Sequence, residues 1–390
     1  MHHKRILMAF GLCFSVILTT HAQESKSLPE VDYHSLQLFN AGDWKSLLKY
    51  GQEQISSGVE FPLLRMRTGY AAFMLGNFSQ SLIHYKKVLE DDAENNIALY
   101  YVYLNHLYLN NTTAYRYYAG RLPQETKTVE KISSTKISGL NAEFSYKIPD
   151  EASRGNATYG RIGVGTQLGY RAELQVSGAL FNQQLSEPAL TGVVNNRNIN
   201  NNQKEFYSKL TYAASGSISL LAGYHYIYTP FNNLIYNNHL AFTGIRITSP
   251  YIHTKVMAAF GNITNTTYNQ YDLTISTFPL GNTNLYTISR AAYGDALTFS
   301  QVAGFRVAKP LWLEGNITLG RYNNLLENDA LYVLNDIDTK QFKMGGSVYL
   351  AITPKSLLSF NYTFDQKLRY ATTEYNFNQH SLNTAISWKF

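Results

Sequence analysis

The chain has 390 residues, of which 45% are hydrophobic and only 15% charged, with a net charge of +6 and a mean hydropathy of −0.23. With 31 Tyr and 20 Phe it is too apolar and too aromatic for a disordered chain. Beyond the N-terminus no stretch reaches the roughly 18 consecutive apolar residues of a spanning helix, so a helical membrane protein is excluded. A soluble protein and a membrane β-barrel both remain.

The first elements read as an address. His2, His3, Lys4 and Arg5 precede an apolar run from Ile6 to Leu18, and Thr20-His21-Ala22 forms a small-x-small cleavage site before Gln23-Glu24-Ser25. This three-part order predicts a secretory signal over residues 1–22, with an apolar run too short to anchor the protein. Cleavage removes Cys13, the single cysteine, so the mature chain is expected to have neither disulfide nor thiol chemistry.

Residues 31–120 carry a helical period and repeat themselves. Gly42-Asp43-Trp44 and Gly76-Asn77-Phe78 lie 34 residues apart. In the second unit Gly69 takes the small position of the first helix and Gly76 the turn. Phe78 opens the second helix, and Leu82, Tyr85 and Leu89 continue it at helical spacing. The first unit matches with Leu47-Leu48 and Ile55, and a third, degenerate unit follows Ile97–Tyr108 with the polar turn Asn110-Asn111-Thr112. This pattern resembles tetratricopeptide repeats over about 90 residues, although Ala72 and Ala93 depart from the usual Tyr and Pro. The resemblance implies a concave surface that docks a protein or peptide. Residues 121–134, polar and containing Pro123, read as a linker.

From about residue 132 to the end the period is two. Leu140-Ala142-Phe144-Tyr146, Ile162-Val164-Thr166-Leu168 and Leu358-Phe360-Tyr362-Phe364 alternate with polar or small residues. Such strands suit a sandwich or a barrel. Strands of about 10 residues or more favour a tilted bilayer crossing over the usual soluble strand. Tight turns at Gly169, Ser215-Gly216, Ser249-Pro250, Gly281-Asn282, Lys309-Pro310 and Thr353-Pro354 alternate with longer polar loops. Those loops are predicted at Pro149–Ala157, Ser186–Gln203, Tyr228–Asn238, Ile263–Gln270 and Asn323–Thr339. Short turns on one rim and long loops on the other are the outer-membrane pattern. Tyr226, Tyr228, Tyr251, Tyr286, Tyr322 and Tyr370 fall near predicted strand ends, where interfacial girdles form. The predicted fold is therefore α plus membrane β: helical hairpins, then an antiparallel transmembrane barrel of about 12–14 strands over residues 135–390. An even strand count puts both barrel ends, and the helical domain, in the periplasm.

The last strand places Leu382, Thr384, Ile386, Trp388 and the terminal Phe390 on one face. It resembles the C-terminal signal that the outer-membrane assembly machinery recognises in barrel substrates, which implies that machinery and outer-membrane lipid as partners.

The whole surplus of +6 lies in residues 131–390. Strand parity turns Lys147, Arg161, Lys209, Arg246, Lys255, Arg306, Lys343, Lys367 and Arg369 inward, against Glu143, Glu173, Asp272, Glu314 and Asp365. A cationic surplus concentrates anions, whereas pairing across the lumen would close it. Catalysis by His225, His253 or His380-Ser381 with Asp272 would need one shared height, which spacing does not establish. Glu327, Asp329, Asp336 and Asp338 form an acidic loop, able to hold Ca²⁺ through hard oxygens but expected to be a solvated surface loop. No metal, cofactor or nucleic-acid motif is found. The architecture resembles that of exopolysaccharide exporters that carry such repeats before a barrel, though those have far more repeats. The leading expectation is a channel passing solute or polymer, with the helical domain docking a periplasmic protein. The alternative is a closed barrel that anchors and displays that domain.

Overall fold

The computed structural model describes residues 27–187, 197–231, 234–370 and 375–390. The predicted signal segment lies outside the described residues. Among the described residues seven helices precede fourteen strands.

The helices form consecutive antiparallel pairs: α1 (Leu28–Asn40) with α2 (Trp44–Ser56), α3 (Pro62–Met74) with α4 (Phe78–Asp91), and α5 (Asn96–Tyr108) with α6 (Thr112–Arg121). The first helices start at 28, 62 and 96 and the second at 44, 78 and 112, so the interval of 34 is kept throughout. The turns show why. Gly42, Gly76 and Asn110 all adopt positive φ, at 69°, 76° and 54°. Glycine takes this left-handed conformation without cost, and asparagine is among the few other residues that tolerate it. In the first two turns the next residue is a cap: Asp43 accepts from the Ser46 amide and Asn77 from the Gln80 amide, filling orphan donors of the helix start, whereas Asn111 makes no such bond. The third unit thus keeps the turn geometry that its sequence obscures.

Between helices, Gly69 lets α3 and α4 close up; a Cβ there would lie 3.0 Å from the Tyr85 ring. Tyr85 is buried and stacks on Tyr101 with centroids 4.8 Å apart. The main helical core gathers Leu82, Val88, Leu99, Val102 and Leu122 around it. The segment read as a linker contains a short helix, α7 (Gln124–Val129).

Fourteen antiparallel strands then close on themselves, each beside its sequence neighbour, with β1 (Thr135–Pro149) sealed against β14 (Asn376–Lys389). Leu140 faces Trp388 and Ala142 faces Ile386 across that seam. The remaining strands are β2 (Arg154–Leu168), β3 (Ala172–Glu187), β4 (Arg197–Ala213), β5 (Ile218–Phe231), β6 (Leu234–Thr248) and β7 (Ile252–Ile263). They continue with β8 (Thr266–Thr277), β9 (Leu285–Tyr293), β10 (Leu297–Ala308), β11 (Leu311–Glu327), β12 (Tyr332–Thr353) and β13 (Ser356–Leu368). Apolar side chains such as Phe144, Ile162, Leu180, Phe206, Val256, Phe299 and Phe360 are exposed on the outside, while charges line the inside. No helix among the described residues is long and apolar enough to cross a membrane.

Two expectations need correction. The long polar loops are largely hairpins: β5 and β6 run on to Phe231 and from Leu234, and only Thr264 and Asn265 separate β7 from β8. Polar residues pair backbone as well as apolar ones do, so polarity marked the end of the apolar belt, not the end of the strands. The tyrosine girdle is also incomplete. Tyr322 is buried inside, Tyr286 donates to Glu314 in the lumen at 2.7 Å, and Tyr251 bonds Asn77 and Gln80 of α4.

Candidate functional site

The functional geometry lies inside the barrel, and the element that shapes it is the β11–β12 hairpin. The stretch read as a solvated acidic loop folds inward instead. Strand β11 leaves the wall at Gly320, whose φ of 136° is closed to other residues, and where a Cβ would lie 2.8 Å from the Leu297 carbonyl oxygen. Register with β12 shifts there and resumes at Asn324 opposite Asn335, ending with Glu327 opposite Tyr332. The tip residues Asn328, Asp329 and Ala330 all have left-handed φ, from 51° to 59°. Three consecutive non-glycine residues in that region are strained and persist only where surrounding contacts hold them.

Those contacts are of two kinds. Leu326 and Ala330 are fully buried against Tyr207, Leu240, Phe242, Met257, Ala259, Ile263 and Tyr268, and a second, smaller cluster joins Leu325 to Ala292 and Tyr322. Gln270 completes the hairpin's free edge, accepting from the Leu326 amide at 2.8 Å and donating to its carbonyl at 2.9 Å. Charge does the rest. Arg154 grips Asp338 with two hydrogen bonds of 2.8 and 2.9 Å, Lys343 meets Glu327 at 2.9 Å, and Lys367 bonds Asp336. At the tip, Lys209 lies 3.0 Å from one Asp329 oxygen, Lys255 bonds the other, and Arg246 stands 4.0 Å away. Tyr332 donates to Glu143 at 2.6 Å, beside the Arg161–Glu143 pair at 2.9 Å. Every carboxylate of the acidic stretch thus serves as counterion to a cation. Burial of unpaired charge is costly, so the pairing rules out the solvated loop expected from composition.

The remaining charges predicted to face inward are placed as follows. Asp272 pairs with Arg290, and Asp365 lies 3.5 Å from Lys340. Lys147 sits over the Phe181 ring at 5.3 Å. Glu314 accepts from Tyr286 and, at 3.3 Å, from Tyr349. Arg306 stacks on Trp312 at 4.5 Å near the rim, and Arg369 follows β13, 3.9 Å from Glu151. Strand parity turns Arg290 and Lys340 inward as well, beyond the expected set; nothing in the spacing announces that Arg154 and Asp338 meet. Leu382, Thr384, Ile386, Trp388 and Phe390 all point outward at the seam with β1. A cavity of about 880 Å³ runs alongside the hairpin, touching Arg246, Lys255, Asp329, Lys340 and Lys367.

The candidate catalytic groups do not converge. His225 holds the hairpin through the Ala330 carbonyl at 2.7 Å, and His253 packs on Phe278. His380 lies outside, bonded to Tyr362, while its neighbour Ser381 is buried. Among the described residues no cluster of three or more His, Cys, Asp or Glu is arranged to hold a metal ion.

The helices dock on the short-turn rim. The Ser79 amide donates to the Gly281 carbonyl at 3.0 Å, Asn282 donates to the Gly76 carbonyl at 2.9 Å, and Lys86 bonds Ser217 at 3.1 Å. Arg116 of α6 reaches Glu173 of β3 at 3.0 Å, and Glu173 also accepts from Ser138. The Tyr118 ring is packed so tightly over Gly216 that a Cβ there would lie 2.4 Å from its hydroxyl. These contacts run from the β2–β3 turn to the β8–β9 turn, so the helical domain covers that side of the mouth. Glu173, predicted as lumen lining, is in effect a docking residue.

Two buried histidines mark this docked domain. Burial, reinforced by Arg65, pushes His84 down to about 4, and burial beside Lys86 and His253 holds His106 well below the usual value. Both are therefore neutral in the folded domain at pH 7. Between pH 6.5 and about 4 the unfolded chain binds the protons that the folded domain refuses, so stability falls as pH falls through that window. His84 alone contributes a loss of about 3 kcal/mol. The expected result is a helical melting transition that is markedly lower at pH 5 than at pH 7.5, read by circular dichroism. An unchanged transition contradicts the neutral assignment.

No protein-family model matches the chain, and no curated protein matches its sequence. Several solved structures align with it at low identity. The translocator domain of autotransporter NalP from Neisseria meningitidis aligns over 73% of this chain and 99% of its own, at 10% identity and a TM-score of 0.32. Omp33 of Acinetobacter baumannii, an outer membrane protein, aligns over 65% and 99%, at 7% identity and a TM-score of 0.39. A FadL homologue of Pseudomonas aeruginosa aligns over 70% and 92%, at 7% identity and a TM-score of 0.43.

Proposed function

We propose that this protein is an outer-membrane channel whose resting state is closed, with the β11–β12 hairpin as the obstruction and the helical domain as a lid on the periplasmic mouth. The observation that carries the reading is the 880 Å³ cavity, bordered by many charged side chains, beside a hairpin held largely by ion pairs, within a barrel whose outside is apolar. Apolar residues facing outward and charges facing inward suit lipid outside and water within. A lumen narrowed in this way favours small solutes over polymers. The excess of cations around Asp329 gives the open state an anion preference.

The helical domain presents a half-buried aromatic series, Phe39, Trp44, Tyr70, Tyr101, Phe73, Phe78 and Tyr108, linked by ring contacts of 4.9 to 5.7 Å. In the tetratricopeptide-like reading this is where a periplasmic protein docks, and its binding competes with seating on the rim. A barrel that only anchors the helical domain is the second reading, favoured by the apolar cluster around Leu326 and Ala330, which fastens the hairpin independently of charge.

Planar-bilayer recording of the refolded chain separates them. The channel reading expects a low resting conductance with brief openings that become more frequent from 0.1 to 1 M KCl, because salt weakens the ion pairs. Silence at both salt concentrations, in the intact chain and in a hairpin-shortened one, leaves the anchor.

A further inference from the structure

The tip of the hairpin is seated in a place that suits something other than itself. Lys209 on β4, Arg246 on β6 and Lys255 on β7 converge from three strands on one point, and among the described residues they form ion pairs only with Asp329. Each of the two carboxylate oxygens faces its own lysine, and the arginine stands behind one of them. The Tyr207 hydroxyl donates to the Asp329 carbonyl at 2.9 Å and His225 bonds the Ala330 carbonyl, so the wall also grips the backbone that presents the carboxylate. The three cations stay on the wall whatever the hairpin does, and three charges against one carboxylate leave a surplus that a second anion can satisfy. Arg246 and Lys255 border the cavity, which gives a solute a route to them. The presenting backbone is strained at three successive residues, so the hairpin tip holds this place at a cost.

We propose that Lys209, Arg246 and Lys255 form a binding site for small carboxylate solutes, which Asp329 occupies as a tethered ligand until the solute displaces it. The inference rests on the closed-channel reading for its consequence, that arrival of the solute frees the hairpin, but not for the site. Because an occupied site binds solute only in the fraction of molecules whose hairpin is away, the tether lowers the apparent affinity by that fraction. Removing the charge on the tether raises it.

The test uses the full chain in detergent micelles, with succinate as probe, isothermal titration calorimetry at constant ionic strength, and heat-modifiable gel migration to verify that each barrel is closed. Asp329→Asn is expected to bind succinate at least about tenfold more tightly than the unmodified chain. A chain whose residues 323–338 are replaced by a two-residue turn lacks the tether altogether and is expected to do the same. Adding Lys209→Gln and Lys255→Gln to either variant is expected to abolish binding. Equal affinity in the tether variants and the unmodified chain overturns the proposal, as does succinate binding that survives loss of both lysines. Tight succinate binding to Asp329→Asn with no conductance in any variant leaves the site standing and removes the channel reading. Conductance gained on shortening the hairpin, with no gain in succinate affinity, removes the site and leaves the channel.

Discussion

Replacing residues 323–338 with a two-residue turn is expected to raise single-channel conductance several-fold and to make the pore anion-selective. The excised stretch contains Glu327, Asp329, Asp336 and Asp338, and it is the part of the chain that crosses the lumen. The wall cations that neutralise it, Arg154, Lys209, Arg246, Lys255, Lys343 and Lys367, stay behind without those partners. A lumen lined by one sign of charge concentrates the opposite ion, so reversal potentials in a KCl gradient should shift toward the chloride potential. The barrel should survive the change: below Gly320, β11 and β12 pair continuously from Leu311 opposite Leu350 to Leu319 opposite Phe342. The reading fails if the shortened chain stays as silent as the full one, or conducts without ion preference.

Arg116→Glu is expected to unseat the helical domain. Arg116 and Glu173 are almost buried between α6 and β3, with side-chain exposures of 7% and 17%. Removing one member of a buried pair costs about 3–5 kcal/mol because the other charge is left without compensation. Placing a second carboxylate against Glu173 adds repulsion to that loss. A change of this size lowers the docking equilibrium by about 10²–10⁴. Lys127 now bonds the Gly120 carbonyl at 2.9 Å and lies over the Tyr170 ring, so the connecting segment is held down by the docked state. Unseating exposes Lys127, and trypsin should cut there far faster in the variant, releasing the helices from an intact barrel. Equal cleavage rates would show that the pair does not hold the lid. Combined with recordings of the same variant, the experiment separates the lid's contribution to closure from the hairpin's.

Much of this architecture is written in local sequence, because its signals are periodic. The 34-residue interval survives in the helix starts because each turn repeats the same backbone requirement, met twice by glycine and once by Asn110. The alternation from Leu140 onward puts apolar residues outside and charges inside, because a strand has only two faces and its environment chooses between them. Tight turns bound the strand number to about 12–14, and closure of the barrel settles it at fourteen.

Tertiary structure alone decided the site. Asp329 and Lys209 are 120 residues apart, and Asp338 and Arg154 are 184 apart. No period links them. An acidic stretch reads as solvated because charge belongs in water, and it is buried here because cations along the wall meet its carboxylates and an apolar cluster takes up Leu326 and Ala330. Whether Gly320 continues a strand or turns one inward depends on what the Leu297 carbonyl leaves room for, and that neighbour is set by the register of β10 against β11. Likewise Glu173 lies on a lumen-facing position by parity, but its partner is a helix residue, Arg116, brought over the rim by docking. Periodicity determines which face a residue takes; only closure of the barrel, the inward fold of one hairpin and the seating of the helices determine what it meets there.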